Sequence, residues 1–170
     1  ARNLSELRGK EFIILGKTRE WIEQSGYTIN LSRGENKYKM SSREKNIKGK
    51  ILSGVGQGVY FTQLEWVKSQ FKEKLGFDPY PGTLNLKLDK KNEKTYQDIL
   101  KEGGIDIVPP TAEFCGSKSY PISLGKIKAA IILPSVSDYP RDIVEIMAPV
   151  KIKEKLQVKD GDELEFTIKI

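Results

Sequence analysis

Histidine is absent from the 170 residues, and cysteine occurs once, at Cys115. The first absence removes the commonest general base, the imidazole-dependent serine and cysteine triads, and most zinc sites. The second excludes an internal disulfide and a cysteine-built metal cluster and fits a reducing interior; Cys115 itself reads as a small buried hydrophobe, not a nucleophile. No apolar run approaches the ~18 residues of a membrane span. No signal-like segment opens the chain, so a soluble cytoplasmic protein is expected. Any catalysis must therefore rest on carboxylates, lysines, a hard metal and positioning.

What is present is a moderate basic excess, 29 Lys+Arg against 23 Asp+Glu, for a net charge of +6. It is spread along the chain, which favours phosphate-bearing ligands without singling out DNA. The length fits one domain of about 120 to 150 residues plus a small appendage.

Residues 1–46 differ from the rest. Helical spacing around Leu4 and Leu7 is followed by an apolar run, Phe12 to Leu15, and by a predicted helix from Thr18 to Gln24 that ends at Gly26. Tyr27–Leu31 and Lys37–Met40 then flank Ser32-Arg33-Gly34-Glu35-Asn36, a hairpin pattern. A helix followed by a basic hairpin resembles part of a winged helix, in which Lys17 and Arg19 would approach a DNA backbone with Arg33 on the wing. Too few residues are present for the full set of three helices. Leu15-Gly16-Lys17-Thr18 mimics the end of a phosphate-binding P-loop, but Glu11 stands where the first glycine is required.

After a polar linker, Ser41 to Asn46, a strand from Ile47 to Ser53 leads into Gly54-Val55-Gly56-Gln57-Gly58-Val59. Glycines at alternate positions allow unusual dihedrals and let a ligand reach main-chain amides; a flexible hairpin is the other reading. Thr62-Gln63-Leu64-Glu65 has the form of a capping box, with Leu64, Val67, Phe71 and Leu75 as the buried stripe and Gly76 as the C-terminal cap. The glycine-rich stretch and the next loop are thus held at opposite ends of one predicted helix.

That next loop is the centre of the chain. Phe77-Asp78-Pro79-Tyr80-Pro81-Gly82 runs into a strand that alternates apolar Leu84, Leu86 and Leu88 with polar Thr83, Asn85 and Lys87. Thr83 and Asn85 share one face, their Cα atoms roughly 6 to 7 Å apart. Two uncharged oxygens on a rigid element suit a hard cation such as Mg²⁺, which completes its shell with water and phosphate oxygens. Taken alone, the stretch reads first as an ordinary amphipathic strand after a proline turn.

A second helix is predicted near Thr95 to Glu102, ending at Gly103-Gly104, and then strands at Ile105–Val108, Glu113–Cys115, Ser117–Leu124 and Lys126–Leu133. The loop Pro134–Arg141 precedes a strand at Ile143–Met147, a short helix at Val150–Leu156, the turn Lys159–Asp162 and a last strand at Glu163–Ile170. Many short strands, few helices and no βαβ rhythm predict a mainly β fold, a small barrel and not a doubly wound sheet.

Four blocks together carry a resemblance: Ser53–Phe61; Leu75–Asn85; Phe114-Cys115-Gly116; and Asp142–Pro149, closed by Lys159-Asp160-Gly161-Asp162. In order and spacing, residues 47–170 resemble the CTP-dependent riboflavin kinases of archaea. The resemblance implies a six-stranded cradle-loop (RIFT-related) barrel and transfer of the γ-phosphoryl of CTP to the 5′-hydroxyl of riboflavin, giving FMN and CDP. It implies nucleotide contacts at Gly54, Val55, Gly56, Gln57, Gly58 and Val59 and again at Val150, Lys151, Ile152 and Lys153. It implies Mg²⁺ ligands at Thr83 and Asn85 and flavin contacts at Ser137 and Glu145. Family members often carry threonine where Ser137 stands, which keeps the hydroxyl, and arginine where Lys153 stands, whose bidentate fork a lysine lacks. Some carry an N-terminal winged helix, in line with the reading of residues 1–46.

Phosphoryl transfer asks the protein for positioning and charge stabilisation more than for covalent chemistry, so a chain without histidine can manage it. Glu145 is the carboxylate that would orient the ribityl hydroxyl or take its proton; simple hydrogen bonding to the ligand is the other role open to it. Two rival functions remain: a flavin- or nucleotide-sensing DNA-binding regulator without turnover, and a structural barrel related to swapped-hairpin DNA-binding proteins.

Overall fold

A computed structural model describes residues 11–13, 29–31, 37–40, 44–54 and 57–169 of the chain. It divides into two compact units, Asn46–Ile168 and a smaller one formed by Ala1–Lys45 with Lys169–Ile170. The smaller unit carries β1 (Glu11–Ile13), β2 (Ile29–Leu31) and β3 (Lys37–Met40) in one antiparallel sheet of order β1-β3-β2. The predicted hairpin is present in β2 and β3, with Ile29 opposite Met40 and Leu31 opposite Tyr38. The apolar run at Phe12 contributes the third strand. The predicted helices at Leu4–Leu7 and Thr18–Gln24, the turn Ser32–Asn36, and Lys17, Arg19 and Arg33 lie outside the described residues.

In the larger unit, β4 (Glu44–Leu52), β5 (Leu84–Leu88), β9 (Ile143–Met147), β8 (Ile127–Pro134), β7 (Ser117–Leu124) and β10 (Glu163–Lys169) pair in that order, and β10 returns to both β4 and β7. The result is a closed, six-stranded antiparallel barrel, as expected, with β6 (Ile105–Ile107) added outside β7. Period-two alternation explains which side chains fill it. β4 turns Ile47 and Ile51 inward, β5 turns Leu84, Leu86 and Leu88 inward, and β10 turns Phe166 and Ile168 inward. Gly49 lets β4 lie flush on β5, because a Cβ there would stand 3.0 Å from both the Leu88 side chain and the Lys87 carbonyl oxygen.

Helices pack against the barrel. α1 (Gln57–Gln63) and α2 (Glu65–Gln70) run into a wider π-type turn, Phe71–Leu75, that ends at Gly76 with φ 80°. Val67 and Phe71 are fully buried against Ile107, Ala130, Ile132 and Met147, while Leu64 and Leu75 are half-buried beside them. Burial of a side chain such as Phe71 contributes about 1.5–3 kcal/mol. α3 (Lys90–Leu100) starts five residues before the predicted Thr95, because the Asp89 carboxylate accepts the Asn92 amide at 2.8 Å and caps the first turn. α4 (Ile152–Lys155) lies within the predicted helix.

Four expectations are corrected. β4 begins at Glu44, so the last three residues of the predicted linker Ser41 to Asn46 are strand. Glu113–Cys115 is a turn and not a strand, since β6 and β7 are joined there by a loop that passes two prolines. The pattern Thr62–Glu65 is not a capping box: Leu64 is the N-cap of α2, without any side-chain cap bond, and Thr62 lies inside the preceding helix α1. The glycine-rich stretch is likewise shorter as a loop than expected, because its second half, from Gln57, is helical.

Candidate active site

The loop Phe77–Thr83 is held by main-chain bonds. The Tyr80 amide donates to the Ala148 carbonyl at 2.7 Å, which ties the loop to the segment following β9. Gly82 takes φ 105°, a conformation that glycine adopts without steric cost. Its amide donates to Thr62 Oγ1 at 2.9 Å, and that hydroxyl donates to the Val59 carbonyl at 3.0 Å. Thr62 is fully buried. Its hydroxyl, donor and acceptor at once, therefore clamps the glycine-rich helix to the proline-glycine loop.

From this clamp Thr83 and Asn85 enter β5 on one face, both half-buried, while Leu84 and Leu86 point into the core. Asn85 stands opposite Glu145 of β9 and Leu52 of β4. Glu145 receives two hydroxyl donors, Thr83 Oγ1 on Oε1 at 3.2 Å and Tyr139 Oη on Oε2 at 2.6 Å. Burial, and then the bond to Glu145 and its charge, push the Tyr139 phenol far above its ordinary range, so it stays a protonated donor.

Two cavities meet at Thr83, which lines both. The first, about 230 Å³, is bounded by the proline-glycine loop and by Val59, Val150, Lys151, Ile152 and Lys153. Lys151 pairs with Glu154 at 3.1 Å and Lys153 with Asp160 at 2.5 Å. Asp160 also accepts the Ser53 hydroxyl, and the bond from Lys153, then that from Ser53, holds its carboxyl below the usual range. The second cavity, about 250 Å³, is lined by Phe61, Trp66, Phe114, Cys115 and Glu145 among others. Its rings are interlocked: Phe61 meets Trp66 edge-on at 6.0 Å, and Trp66 meets Phe114 at 5.7 Å. Cys115, expected to be buried, is exposed.

Whether these residues fit a cation can be judged from Asn85. Its Oδ1 is buried and has no hydrogen-bond partner, and such an orphan acceptor costs roughly 1–3 kcal/mol. The amide Nδ2 sits so close to Gly54 that a Cβ there would come within 2.6 Å of it. Because Thr83 gives its proton to Glu145, its oxygen lone pairs remain free for an electrophile. An unsatisfied amide oxygen beside a hydroxyl oxygen and a carboxylate is a donor set that a hard cation suits. Among the described residues, no group of three or more Asp, Glu, His or Cys forms a denser metal cluster.

The structure therefore brings Thr83, Asn85 and Glu145 together and sets Gly54 against Asn85. Val59 and Val150–Lys153 line the first cavity. Gln57 and Gly58 belong to α1, Val55 and Gly56 lie outside the described residues, and Ser137 is exposed and lines neither cavity. Sequence reasoning missed Tyr139, the clamp at Thr62 and the aromatic cavity. Phe114-Cys115-Gly116 belonged to the resemblance without a role, and that block was the available signal for the cavity.

Comparison with known proteins shows the family to which the chain belongs. A family model labelled CTP-dependent riboflavin kinase, and described as a domain of unknown function, DUF120, matches residues 51–168. The riboflavin kinase of Archaeoglobus fulgidus is 42% identical over 125 residues, 72% of this chain and 54% of that protein. That of Methanocella arvoryzae is 40% identical over 122 residues, 72% of this chain and 56% of that protein. That of Ignicoccus hospitalis is 34% identical over 130 residues, 75% of this chain and 73% of that protein. The chain thus spans little more than half the length of the first two.

Proposed function

The chain belongs to the CTP-dependent riboflavin kinase family, and on that premise we propose that its barrel transfers the γ-phosphoryl of CTP to the 5′-hydroxyl of riboflavin, giving FMN and CDP. The observation that carries this reading is the position of Thr83, which lines both cavities and hydrogen-bonds Glu145. A phosphate tail and an acceptor hydroxyl that enter from opposite sides would meet at that residue.

In this reading the nucleotide occupies the cavity beside the proline-glycine loop. Gly54 to Val59, with Val150, Lys151, Ile152 and Lys153, supply main-chain amides and cationic charge for its phosphates. Riboflavin occupies the aromatic cavity, its planar ring against Phe61, Trp66 and Phe114, with Ser137 and Glu145 as its polar contacts. Thr83 and Asn85 hold Mg²⁺, which when bound neutralises charge on the phosphoryl group. Glu145 orients the ribityl hydroxyl and accepts its proton as that oxygen bonds to the γ-phosphorus and the bond to the β–γ bridging oxygen breaks.

Residues 47–170 are proposed as the kinase domain and residues 1–46 as an appendage to it; the DNA-binding reading draws nothing from the described strands. Among the described residues no helix is long and apolar enough to cross a membrane, and a cytoplasmic location is part of the proposal. The names of the relatives favour the enzyme over a sensor without turnover.

The test is incubation of the chain with riboflavin, Mg²⁺ and each nucleoside triphosphate in turn. FMN and CDP are expected with CTP. No FMN with any donor would overturn the assignment, and FMN with ATP but not CTP would overturn the choice of donor.

A further inference from the structure

The loop between β8 and β9 leaves from Pro134 and returns toward Glu145, both of which line the aromatic cavity. It is fixed at each end. The Ser135 amide donates to the Gly116 carbonyl at 2.9 Å; farther on, the Arg141 carbonyl accepts from Gln97 Nε2 at 2.9 Å, and Asp142 pairs with Lys87. Between these anchors Val136, Ser137 and Asp138 are exposed, and the loop turns one hydroxyl inward, that of Tyr139, onto Glu145.

We propose that Tyr139 is a positioning residue for the transfer: its hydroxyl fixes the Glu145 carboxylate toward the acceptor hydroxyl and ties the loop that carries Ser137 to β9. The proposal rests on the kinase reading above. A glutamate side chain has rotatable bonds to spare, and a single donor leaves it free to pivot. Here two donors from separate elements, Thr83 of the β5 entry and Tyr139 of the loop, take one oxygen each. The 2.6 Å separation at Oε2 is that of a direct, short hydroxyl–carboxyl hydrogen bond. Tyr139 remains protonated in this setting, so it cannot itself take the substrate's proton. Its part is to hold the group that does. The backbone anchors on either side mean that loss of the hydroxyl releases the side chain without releasing the loop ends.

Tyr139→Phe removes the hydroxyl and keeps the ring. With saturating riboflavin, kcat is expected to fall roughly 10- to 100-fold while CDP affinity by calorimetry stays at the wild-type value. In a Glu145→Ala background the same substitution is expected to change kcat no further. The Cζ resonance of Tyr139 in tyrosine-labelled protein is expected to shift when Glu145 is replaced by alanine, whatever the turnover. A wild-type kcat in Tyr139→Phe, a matching loss of CDP affinity, or a full second loss in the Glu145→Ala background would overturn the positioning role. An unmoved resonance would overturn the contact. Absence of FMN from the wild-type chain would instead overturn the kinase reading, and the role with it, while the resonance would still decide the contact.

Discussion

The two cavities that meet at Thr83 are made by different means. On the proline-glycine side the walls are the loop, the start of a short helix and the strand residues Leu84 and Ile146, and the cations, Lys151 and Lys153, are tied to Glu154 and Asp160 in solvent. Such exposed pairs contribute little to stability and hold their partners loosely. On the aromatic side the walls are rings interlocked within the packing that joins α1 and α2 to the barrel, Trp66 touching both Phe61 and Phe114. A flexible, charged ligand tail suits the first construction, and a rigid planar ring suits the second. The barrel strands contribute the seam between them: Thr83 lines both cavities and Glu145 the aromatic one, while Asn85, which lines neither, stands opposite Glu145 in the register.

The comparison breaks most severely at the seam. Asn85→Ala removes an acceptor proposed to serve the phosphate end of one ligand beside the hydroxyl end of the other. It is expected to lower Mg²⁺-dependent FMN formation by about 100-fold or more without lowering the thermal midpoint, since the wild-type Oδ1 is a buried acceptor with no protein partner to lose. Retained turnover would reject the metal role.

An intermediate effect is expected on the aromatic side. Trp66→Ala opens the ring stack, raising the riboflavin Kd by about tenfold, read from flavin fluorescence, and lowering stability by ~2 kcal/mol in urea titration. CDP affinity should not follow; if it does, the cavities are not independent. The smallest effect belongs to the proline-glycine side. Lys153→Ala should weaken CDP binding by only a few-fold in calorimetry, because the Lys153 charge is already shared with Asp160 in solvent. A loss as large as that of Asn85→Ala would mean that Lys153, and not the seam, carries the phosphates.

Much of this seam was readable before the structure, and the reason is local. Strand alternation is a two-residue signal, so Leu84, Leu86 and Leu88 fixed which face Thr83 and Asn85 would share. β10 was legible on the same ground, whereas β8 buries Ala129 to Ile132 in succession and carries no such alternation. What failed were signals with more than one physical meaning. Thr62-Gln63-Leu64-Glu65 fits a cap by spelling, yet the hydroxyl of Thr62 serves a loop 20 residues away. Alternate glycines suggested a loop throughout, and the helix from Gln57 tolerates Gly58 because Phe61 and Thr62 beyond it are held by tertiary contacts. The start of α3 was hidden by a charged first turn, although Asp89 three residues before Asn92 was a usable cap signal. Tyr139 offered no signal at all, since its partner lies across a loop and neither periodicity nor spacing records which hydroxyl turns inward.

The central claim is that Thr83 and Asn85 would hold the cation that neutralises the phosphate tail beside the acceptor hydroxyl. Mn²⁺ in place of Mg²⁺, added to the chain with CDP and riboflavin bound, tests it most directly through the riboflavin ribityl C5′ resonance. The account predicts strong paramagnetic broadening of that carbon in the wild type and its loss in Asn85→Ala. A sharp C5′ resonance in the wild type, or broadening that survives the substitution, would contradict it.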